Sequence, residues 1–285
     1  MLELRPDSPI DPVLHEILQH AKEATSALGI DFFVGGAMAR DILLVHVHGQ
    51  RVNRATRDVD IGLFIQDWAS FDTLKSLFVA SGKFFEVPGR PYRLSFSVAS
   101  GAPLDLIPFG TIAGVDQLIA WPPDHEVVLN VAGFDDALRS ATPVHLGQGL
   151  QVAICNLAAL SVLKLIAWRD RGQQNSKDAA DFFTLARHYD VAGNMDRIYA
   201  EEGLAFLEVA AYDTALAGAS LLGRDAATLS QRSTVSLVEA ILISEELLQR
   251  LVDHLIREQL GIGIPDDGRI TATIDAYRRG FLQQR

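Results

Sequence analysis

The most restrictive feature of this sequence is the segment RATRDVDIGLF (residues 54–64), in which Asp58 and Asp60 stand one residue apart inside an apolar run. Side chains alternate between the faces of a β-strand, so both carboxylates point to the same face, with Cα atoms about 7 Å apart at a rise of about 3.3 Å per residue. Burying a carboxylate without a partner is costly in free energy. The segment therefore predicts either a strand end with two solvated acids or a buried pair that needs a partner. Arg54 or Arg57 could supply part of that partner, and a divalent cation could supply more.

A second feature is the Gly35–Gly36 pair, which closes the predicted strand IDFFVGG and opens the predicted helix AMARDILLVHV. The first backbone N–H groups of a helix have no partners within the helix, and the aligned peptide dipoles favour an anion there. Glycine also lets a phosphate approach the backbone, because it has no side chain. The pair predicts a phosphate-binding turn, and the alternative is a plain turn.

A third feature is Asp105, a single acid in the apolar strand segment APLDLIPF. Its carboxylate meets the same desolvation cost as Asp58 and Asp60. Three acids on two neighbouring strands would offset that cost jointly by holding Mg²⁺, a hard cation with oxygen ligands at about 2.0–2.1 Å. Two such ions about 3.5–4 Å apart can activate an attacking oxygen and stabilise a leaving one. The sequence therefore predicts a site for two Mg²⁺ ions, with Mn²⁺ as an alternative ion.

Together these features resemble the signature of the DNA polymerase β nucleotidyltransferase superfamily, which has a glycine pair at a helix start, an Asp-x-Asp segment and a third strand aspartate. The segments FFVGGAMARDILL, RATRDVDIGLFI and PLDLIPF are most similar to the AbiEii/AbiGii toxin-like nucleotidyltransferases. The segment SVLKLIAWRDRGQQNSKDAADFFTLA matches the lysine and the Lys/Arg-Asp-x-x-Asp pattern of that family through Lys164, Lys177, Asp178 and Asp181. The resemblance covers about residues 30–190. It implies an α+β fold, with a polymerase-β-like mixed sheet and flanking helices, followed by an α-helical C-terminal part.

The sequence departs from this family pattern in two places. Gly-Gly stands where Gly-Ser is commoner, so a serine hydroxyl contact to phosphate is missing. The distance along the chain from Gly36 to Asp58 is longer than usual, with GQRVNRATR as an extra loop. That loop either holds substrate or is an insertion.

The resemblance implies a role for each matched residue. Asp58 and Asp60 would bind both metals, or the one that the nucleoside triphosphate carries. Asp105 would bind the second metal and help to deprotonate an acceptor hydroxyl. Lys164 would neutralise the charge that develops on the leaving pyrophosphate. The predicted nucleotide-binding residues are Gly35, Gly36, Arg40, Arg57, Lys164 and Asp178.

The helical residues also have structural interpretations. Lys164 lies in a long apolar helix, from which a lysine can extend its amine to solvent. Asp178 and Asp181 follow a serine that can cap a helix, and acids stabilise a helix N-terminus in any case. Arg169 or Arg171 could pair with these acids.

Hydrophobic patterning indicates two domains. Helices are predicted at 12–28 and 68–80, with strands between and after them, whereas strand signals stop near residue 156. Helices are then predicted at 156–171, 176–190, 193–219, 233–260 and 267–282. We therefore expect a nucleotidyltransferase α/β domain at 1–150 and a helical domain at 151–285. A chain of 285 residues that is 48% hydrophobic can bury a core in each.

The charge balance restricts the partners. The chain has 25 Lys and Arg against 36 Asp and Glu, a net charge of −11, which repels nucleic acid unless basic residues cluster locally. Such a cluster flanks the predicted acidic strand, and its members are Arg40, Arg51, Arg54, Arg57, Lys83, Arg90 and Arg93. It could hold an RNA end, and the alternatives are binding of a nucleoside triphosphate and salt bridging.

The sequence also bears on the cellular compartment. The single Cys155 excludes an internal disulfide framework and fits a reducing compartment. The N-terminal residues lack the basic and apolar regions of a signal peptide, and no uncharged apolar stretch reaches the roughly 18 residues of a membrane span. We expect a cytoplasmic protein with no membrane partner.

These features predict a Mg²⁺-dependent nucleotidyltransferase that moves a nucleoside monophosphate from a nucleoside triphosphate to an acceptor hydroxyl on tRNA, other RNA or protein. The resemblance implies a toxin with a cognate antitoxin protein. The alternatives are a non-catalytic nucleotide-binding regulator, a CCA-adding or poly(A)-like enzyme, and a nucleotidyltransferase that modifies an antibiotic.

Overall fold

The computed structural model of the chain describes residues 1–52, 56–96, 101–172, 176–260 and 266–283, and of residues 259 and 260 the backbone alone. It divides into two compact units, Met1–Asn156 and Leu157–Arg285. Arg54, one of the predicted counter-charges, lies outside the described residues. The assignment of residues 1–150 and 151–285 as functional domains stays a prediction.

The first unit is built on a mixed β-sheet. Its strands are β1 (Leu2–Glu3), β2 (Phe32–Val34), β3 (Val59–Phe64), β4 (Phe84–Val87), β5 (Arg90–Phe96), β6 (Pro103–Phe109), β7 (Leu118–Ala120), β8 (Val128–Asn130), β9 (Thr142–His145) and β10 (Gln151–Ile154). The sheet has the order β1-β9-β10-β2-β3-β6-β5-β4, and β7 and β8 form a separate ribbon. The pairs β1/β9, β10/β2 and β3/β6 are parallel, and the other pairs are antiparallel. The mixed sheet agrees with the predicted fold class.

Helices flank this sheet: α1 (Pro12–Leu28), α2 (Gly36–Asp41), α3 (Trp68–Ala80) and α4 (Phe134–Arg139). A π-helical segment, Ile42–Val47, continues α2. Helix α1 is capped at both ends. The Asp11 carboxylate accepts a hydrogen bond from the Val13 N–H at 2.7 Å, and Gly29 adopts the left-handed conformation after the last turn.

Aromatic packing fixes β2 against β3. The rings of Phe33, Phe109 and Phe134 pack against one another, with centroids 5.6 to 5.8 Å apart. Phe33 pairs with Gly62 of β3, where a Cβ would lie 2.4 Å from the ring. Gly62 therefore makes room for the ring, and this contact sets the register that brings the end of β2 beside Asp60.

The second unit is helical in its described residues. Its helices are α5 (Leu157–Arg171), α6 (Lys177–His188), α7 (Met195–Tyr199), α8 (Glu201–Val209), α9 (Thr214–Leu229), α10 (Arg232–Ile243), α11 (Glu245–Leu260) and α12 (Asp267–Leu282). Helices α9 and α12 approach closely at Gly280, where a Cβ would lie 1.8 Å from the Ser220 carbonyl oxygen. Among the described segments, no helix is both long enough and apolar enough to cross a membrane.

Two of the predicted helices are divided in the structure. The helix predicted at 193–219 is divided among α7, α8 and α9. Ala200 has extended backbone angles between α7 and α8, and Ala211 and Tyr212 adopt positive φ angles of 50° and 66° between α8 and α9. Residues 233–260 form α10 and α11, because Ser244 between them has extended backbone angles. The spacing of apolar residues continues across these breaks, so the sequence pattern predicted uninterrupted helices.

Candidate active site

The junction of β2 and α2 lies directly against Asp60. The Gly35 N–H donates a hydrogen bond to the Asp60 carbonyl oxygen at 2.8 Å. Gly36 has a φ of +59°, and a Cβ built there would lie 1.8 Å from Asp60 Oδ2. The backbone of Gly35 and Gly36 therefore packs closely against Asp60, one of the predicted metal ligands. A side chain at Gly36 would collide with the Asp60 carboxylate.

We expect Gly36→Ala to lower the free energy of unfolding by about 1–3 kcal/mol, because the residue would be strained at positive φ and would displace Asp60. Gly35→Ala is the matched control, since Gly35 has extended angles and its nearest neighbour is the Phe33 ring at 3.4 Å. Urea unfolding of both variants measures the difference. Equal losses in the two variants would contradict the argument.

Asp60 and Asp105 are direct partners on the adjacent parallel strands β3 and β6. Asp60 is half-buried and Asp105 is buried. Strand β3 begins at Val59, so Asp58 lies immediately before it and is exposed, rather than within the strand. The register of β3 and β6 thus places Asp60 and Asp105 side by side, whereas Asp58, predicted to share the strand with Asp60, lies just before it.

On the other side of Asp105, strand β5 supplies Arg93 as its antiparallel partner. Arg93 Nε and Nη2 donate to Asp105 Oδ1 and Oδ2 at 2.6 and 2.7 Å. These hydrogen bonds, together with the charges of Asp105 and Asp58, raise the pKa of the Arg93 guanidinium. Arg93 is therefore the counter-charge of the third acid. The sequence placed it in a basic cluster, and only the strand order assigns it this partner.

The donor chemistry of this face fits Mg²⁺, because Asp60 and Asp105 present carboxylate oxygens from neighbouring register positions and Asp58 lies two residues before Asp60. Within the described ranges, however, no group of three or more Asp, Glu, His or Cys side chains is arranged to hold a metal ion. The guanidinium of Arg93 holds both oxygens of Asp105 instead.

The two other basic residues predicted at the nucleotide have different surroundings. Arg40 is buried and donates through Nε and Nη2 to Asp41 Oδ1 at 2.8 and 2.6 Å. Asp41 Oδ2 also accepts a hydrogen bond from the Thr56 N–H at 3.0 Å. Arg57 is exposed beside Asp58. Asp41 thus links α2 to the chain that precedes β3, with Arg40 as its ion-pair partner, and nucleotide contacts by either arginine stay predictions.

In the second unit, Lys164 forms a buried ion cluster. Its Nζ contacts Asp178 Oδ1 at 3.0 Å and Asp181 Oδ2 at 2.6 Å, and Arg171 Nε donates to Asp178 Oδ2 at 2.8 Å. The lysine does not extend to solvent, because its side chain is only 10% exposed. Arg171 is a partner of these acids as predicted, whereas Arg169 pairs with Asp170.

This cluster favours the charged forms of Lys164 and Asp178. Burial alone would lower the pKa of Lys164, but the charges of Asp181 and Asp178 outweigh it and raise that pKa. Burial alone would raise the pKa of Asp178, but the charge of Lys164 and the hydrogen bond from Arg171 outweigh it and lower that pKa. The predicted functional residues Lys164 and Asp178 therefore each stabilise the charged form of the other.

The depressed pKa of Asp178 predicts acid sensitivity. A carboxyl with a lower pKa in the folded chain stabilises the fold above its unfolded pKa, and that contribution is lost as the pH falls through the folded value. We expect the difference in unfolding free energy between wild type and Asp178→Asn to narrow as the pH falls below 3.8, the ordinary value for this group. Denaturant unfolding across this range measures it, and a constant difference would contradict the assignment.

Comparison with known proteins identifies the sequence family. A family model described as nucleotidyl transferase AbiEii toxin, type IV toxin-antitoxin system, matches residues 17–261, which is most of the chain. The match includes all of the predicted site residues, from Gly35 to Asp178. A search of curated proteins finds no match.

Solved structures give weaker similarities. The antibiotic-resistance factor ANT(2'')-Ia is 12% identical, with 71% of this chain and 96% of that chain covered and a TM-score of 0.37. A nucleotidyltransferase-like protein from Paracoccidioides brasiliensis is 15% identical, with 70% and 93% covered and a TM-score of 0.41. A CCA-adding enzyme from Thermotoga maritima, in complex with tRNA, is 10% identical, with 96% and 80% covered and a TM-score of 0.26. Similarities of this extent do not identify a substrate.

Proposed function

The chain belongs to the AbiEii nucleotidyltransferase toxin family, and on this basis we propose that it transfers a nucleoside monophosphate from a nucleoside triphosphate to an acceptor hydroxyl in a Mg²⁺-dependent reaction. The observation that carries this proposal is the placement of Asp60 beside Asp105 on adjacent parallel strands, with the Gly35–Gly36 turn against the Asp60 carboxylate. Carboxylates and a glycine turn are the groups that a metal-bound triphosphate requires.

In the proposed reaction, the acceptor oxygen attacks the α-phosphorus, the bond from that phosphorus to the bridging oxygen breaks, and pyrophosphate leaves. Mg²⁺, when bound by Asp58, Asp60 and Asp105, would lower the charge on the phosphate oxygens and activate the attacking hydroxyl. Asp105 accepts the acceptor proton or directs it to solvent. Such transfer depends mainly on positioning and charge stabilisation, so the chain needs no serine, cysteine or histidine nucleophile.

The remaining predicted residues have proposed roles around the nucleotide. Gly35 and Gly36 cradle the triphosphate, with Arg40 and Arg57 as basic residues of the same domain. The first domain, at 1–150, would carry the nucleotidyl-transfer site. The helical domain, at 151–285, would carry the charged pair Lys164 and Asp178. Lys164 neutralises charge on the leaving pyrophosphate, and Asp178 holds its amine in position. The contacts of Lys164 Nζ to Asp178 and Asp181 support this positioning role.

We propose a hydroxyl of tRNA or another RNA as the acceptor, with a protein hydroxyl as the alternative, and a cytoplasmic site of action. The family description, a type IV toxin-antitoxin system, supports a cognate antitoxin protein as a partner. Incubation with labelled nucleoside triphosphate and separate RNA, protein and aminoglycoside pools would distinguish these acceptors. Label in the aminoglycoside pool alone would contradict the RNA and protein proposals.

Calorimetry with each nucleoside triphosphate tests the reaction's first step. We expect binding that requires Mg²⁺ in the wild type and is lost in the Asp58→Ala, Asp60→Ala double variant. Asp72→Ala is the matched control, because Asp72 is an exposed acid on α3 of the same unit. A folded wild type that binds no nucleotide would instead indicate a non-catalytic regulatory protein.

A further inference from the structure

Arg93 binds the carboxylate of Asp105, which is one of the proposed metal ligands. We propose that Arg93 competes with the divalent ion for Asp105 and so sets the metal concentration at which the site loads. This inference rests on the proposed function, because it concerns the same carboxylates. It differs from a structural salt bridge in what it predicts, since removal of a competitor strengthens metal binding and removal of a support weakens it.

The contact between Arg93 and Asp105 uses both oxygens of the carboxylate. The guanidinium donates to Oδ1 at 2.6 Å and to Oδ2 at 2.7 Å, which is the bidentate geometry of a strong charge-assisted pair. In the part of the chain that the structure describes, Arg93 is the hydrogen-bond partner recorded for the Asp105 side chain. A cation at Asp105 therefore has to share these oxygens with Arg93 or displace it.

The strand order of the sheet places Asp60 and Arg93 on either side of Asp105. Asp105 of β6 lies directly opposite Asp60 of β3 on one side and directly opposite Arg93 of β5 on the other. Directly opposed side chains share a face of the sheet and interact. The Asp105 carboxylate consequently has an acidic neighbour toward which a metal would draw it and a basic neighbour that holds it away.

The exposure of the pair allows an exchange. The side chain of Arg93 is 20% exposed and that of Asp105 is 10% exposed. Arg93 is the more exposed side chain of the pair, so it is the partner that a competing cation would displace toward solvent. Its charge would also repel a nearby divalent ion, and this repulsion is lost when the residue becomes neutral.

Direct binding of Mn²⁺, followed by the electron paramagnetic resonance signal of the free ion, tests this inference without measuring catalysis. We expect Arg93→Gln to lower the Mn²⁺ dissociation constant about tenfold, because a positive charge next to the site is removed. Arg93→Lys keeps the charge but loses the bidentate fork, and its dissociation constant should fall between the two. Arg90→Gln is the matched control, an exposed arginine of the same strand, and should bind Mn²⁺ as the wild type does.

Each outcome of this experiment decides the matter. Tighter binding in Arg93→Gln alone supports competition, including the case in which the wild type binds too weakly to measure. Unchanged or weaker binding in Arg93→Gln, or equal tightening in Arg90→Gln, overturns it. Asp105→Asn separates the two proposals: if no variant binds Mn²⁺, or if binding survives Asp105→Asn unchanged, the proposed metal site itself fails.

Discussion

Replacing Asp60 with asparagine is expected to lower the rate of nucleotidyl transfer by about a hundredfold or more, because a metal ligand contributes several kcal/mol to transition-state stabilisation and each tenfold in rate corresponds to about 1.36 kcal/mol. Asparagine keeps the size of the side chain beside Gly36 but removes its negative charge. The measurement is the initial rate of label transfer at saturating nucleotide and Mg²⁺.

The control for this prediction is Asp72→Asn, which removes one negative charge from an exposed position on α3. We expect its rate to equal that of the wild type. Urea unfolding should show that Asp60→Asn folds normally, since Asp60 is half-buried and its backbone hydrogen bond to Gly35 does not depend on the side chain. A folded Asp60→Asn variant with wild-type activity would contradict the placement of the reaction at this face.

The acidic face shows how far local sequence patterns determine a site. The family membership and the mixed-sheet fold predicted from the sequence are confirmed. The period of two predicted Asp58 and Asp60 on one face of a strand, whereas β3 begins at Val59 and leaves Asp58 before it. The pairing of Asp60 with Asp105 comes from the register of β3 and β6. The Gly35–Gly36 pair marked the end of β2 correctly. The inferences from the sequence use residues that are close along the chain, or the expectation that acids on two neighbouring strands share one metal site.

The partner of Asp105 could not be predicted in this way. Arg93 stands 12 positions before Asp105 in the sequence, and its strand was predicted without an order in the sheet. The contact exists because β5 pairs with β6 in a register that sets these two residues opposite each other. Sheet order and register are long-range properties, which residue spacing within one strand does not contain.

Lys164 illustrates the same limit in a helical unit. The spacing of Asp178 and Asp181 places both on one face of α6, as the sequence indicated. Whether the lysine in α5 faces them or faces solvent depends on how the two helices pack, and apolar residues surround it along its own helix. The structure resolves this choice in favour of burial, with Lys164 Nζ between the two carboxylates.

Replacing Lys164 with methionine is expected to lower the free energy of unfolding by about 3–5 kcal/mol at neutral pH, because it leaves Asp178 and Asp181 buried without their shared cation. Lys177→Met is the control, since Lys177 is exposed at the start of α6, and it should change stability far less. Urea unfolding near pH 7 measures both variants.

A charge-removal series then identifies the cause. If the loss comes from buried carboxylates that have lost the lysine, the triple variant Lys164→Met, Asp178→Asn, Asp181→Asn should recover much of the stability, because the buried negative charges disappear with the lysine. Loss of packing alone would leave the triple variant as unstable as Lys164→Met. Transfer activity of the restabilised triple variant tests the proposed role of the Lys164–Asp178 pair at pyrophosphate. A recovered fold with wild-type activity would make both residues purely structural, whereas a recovered fold without activity would place the pair in the reaction.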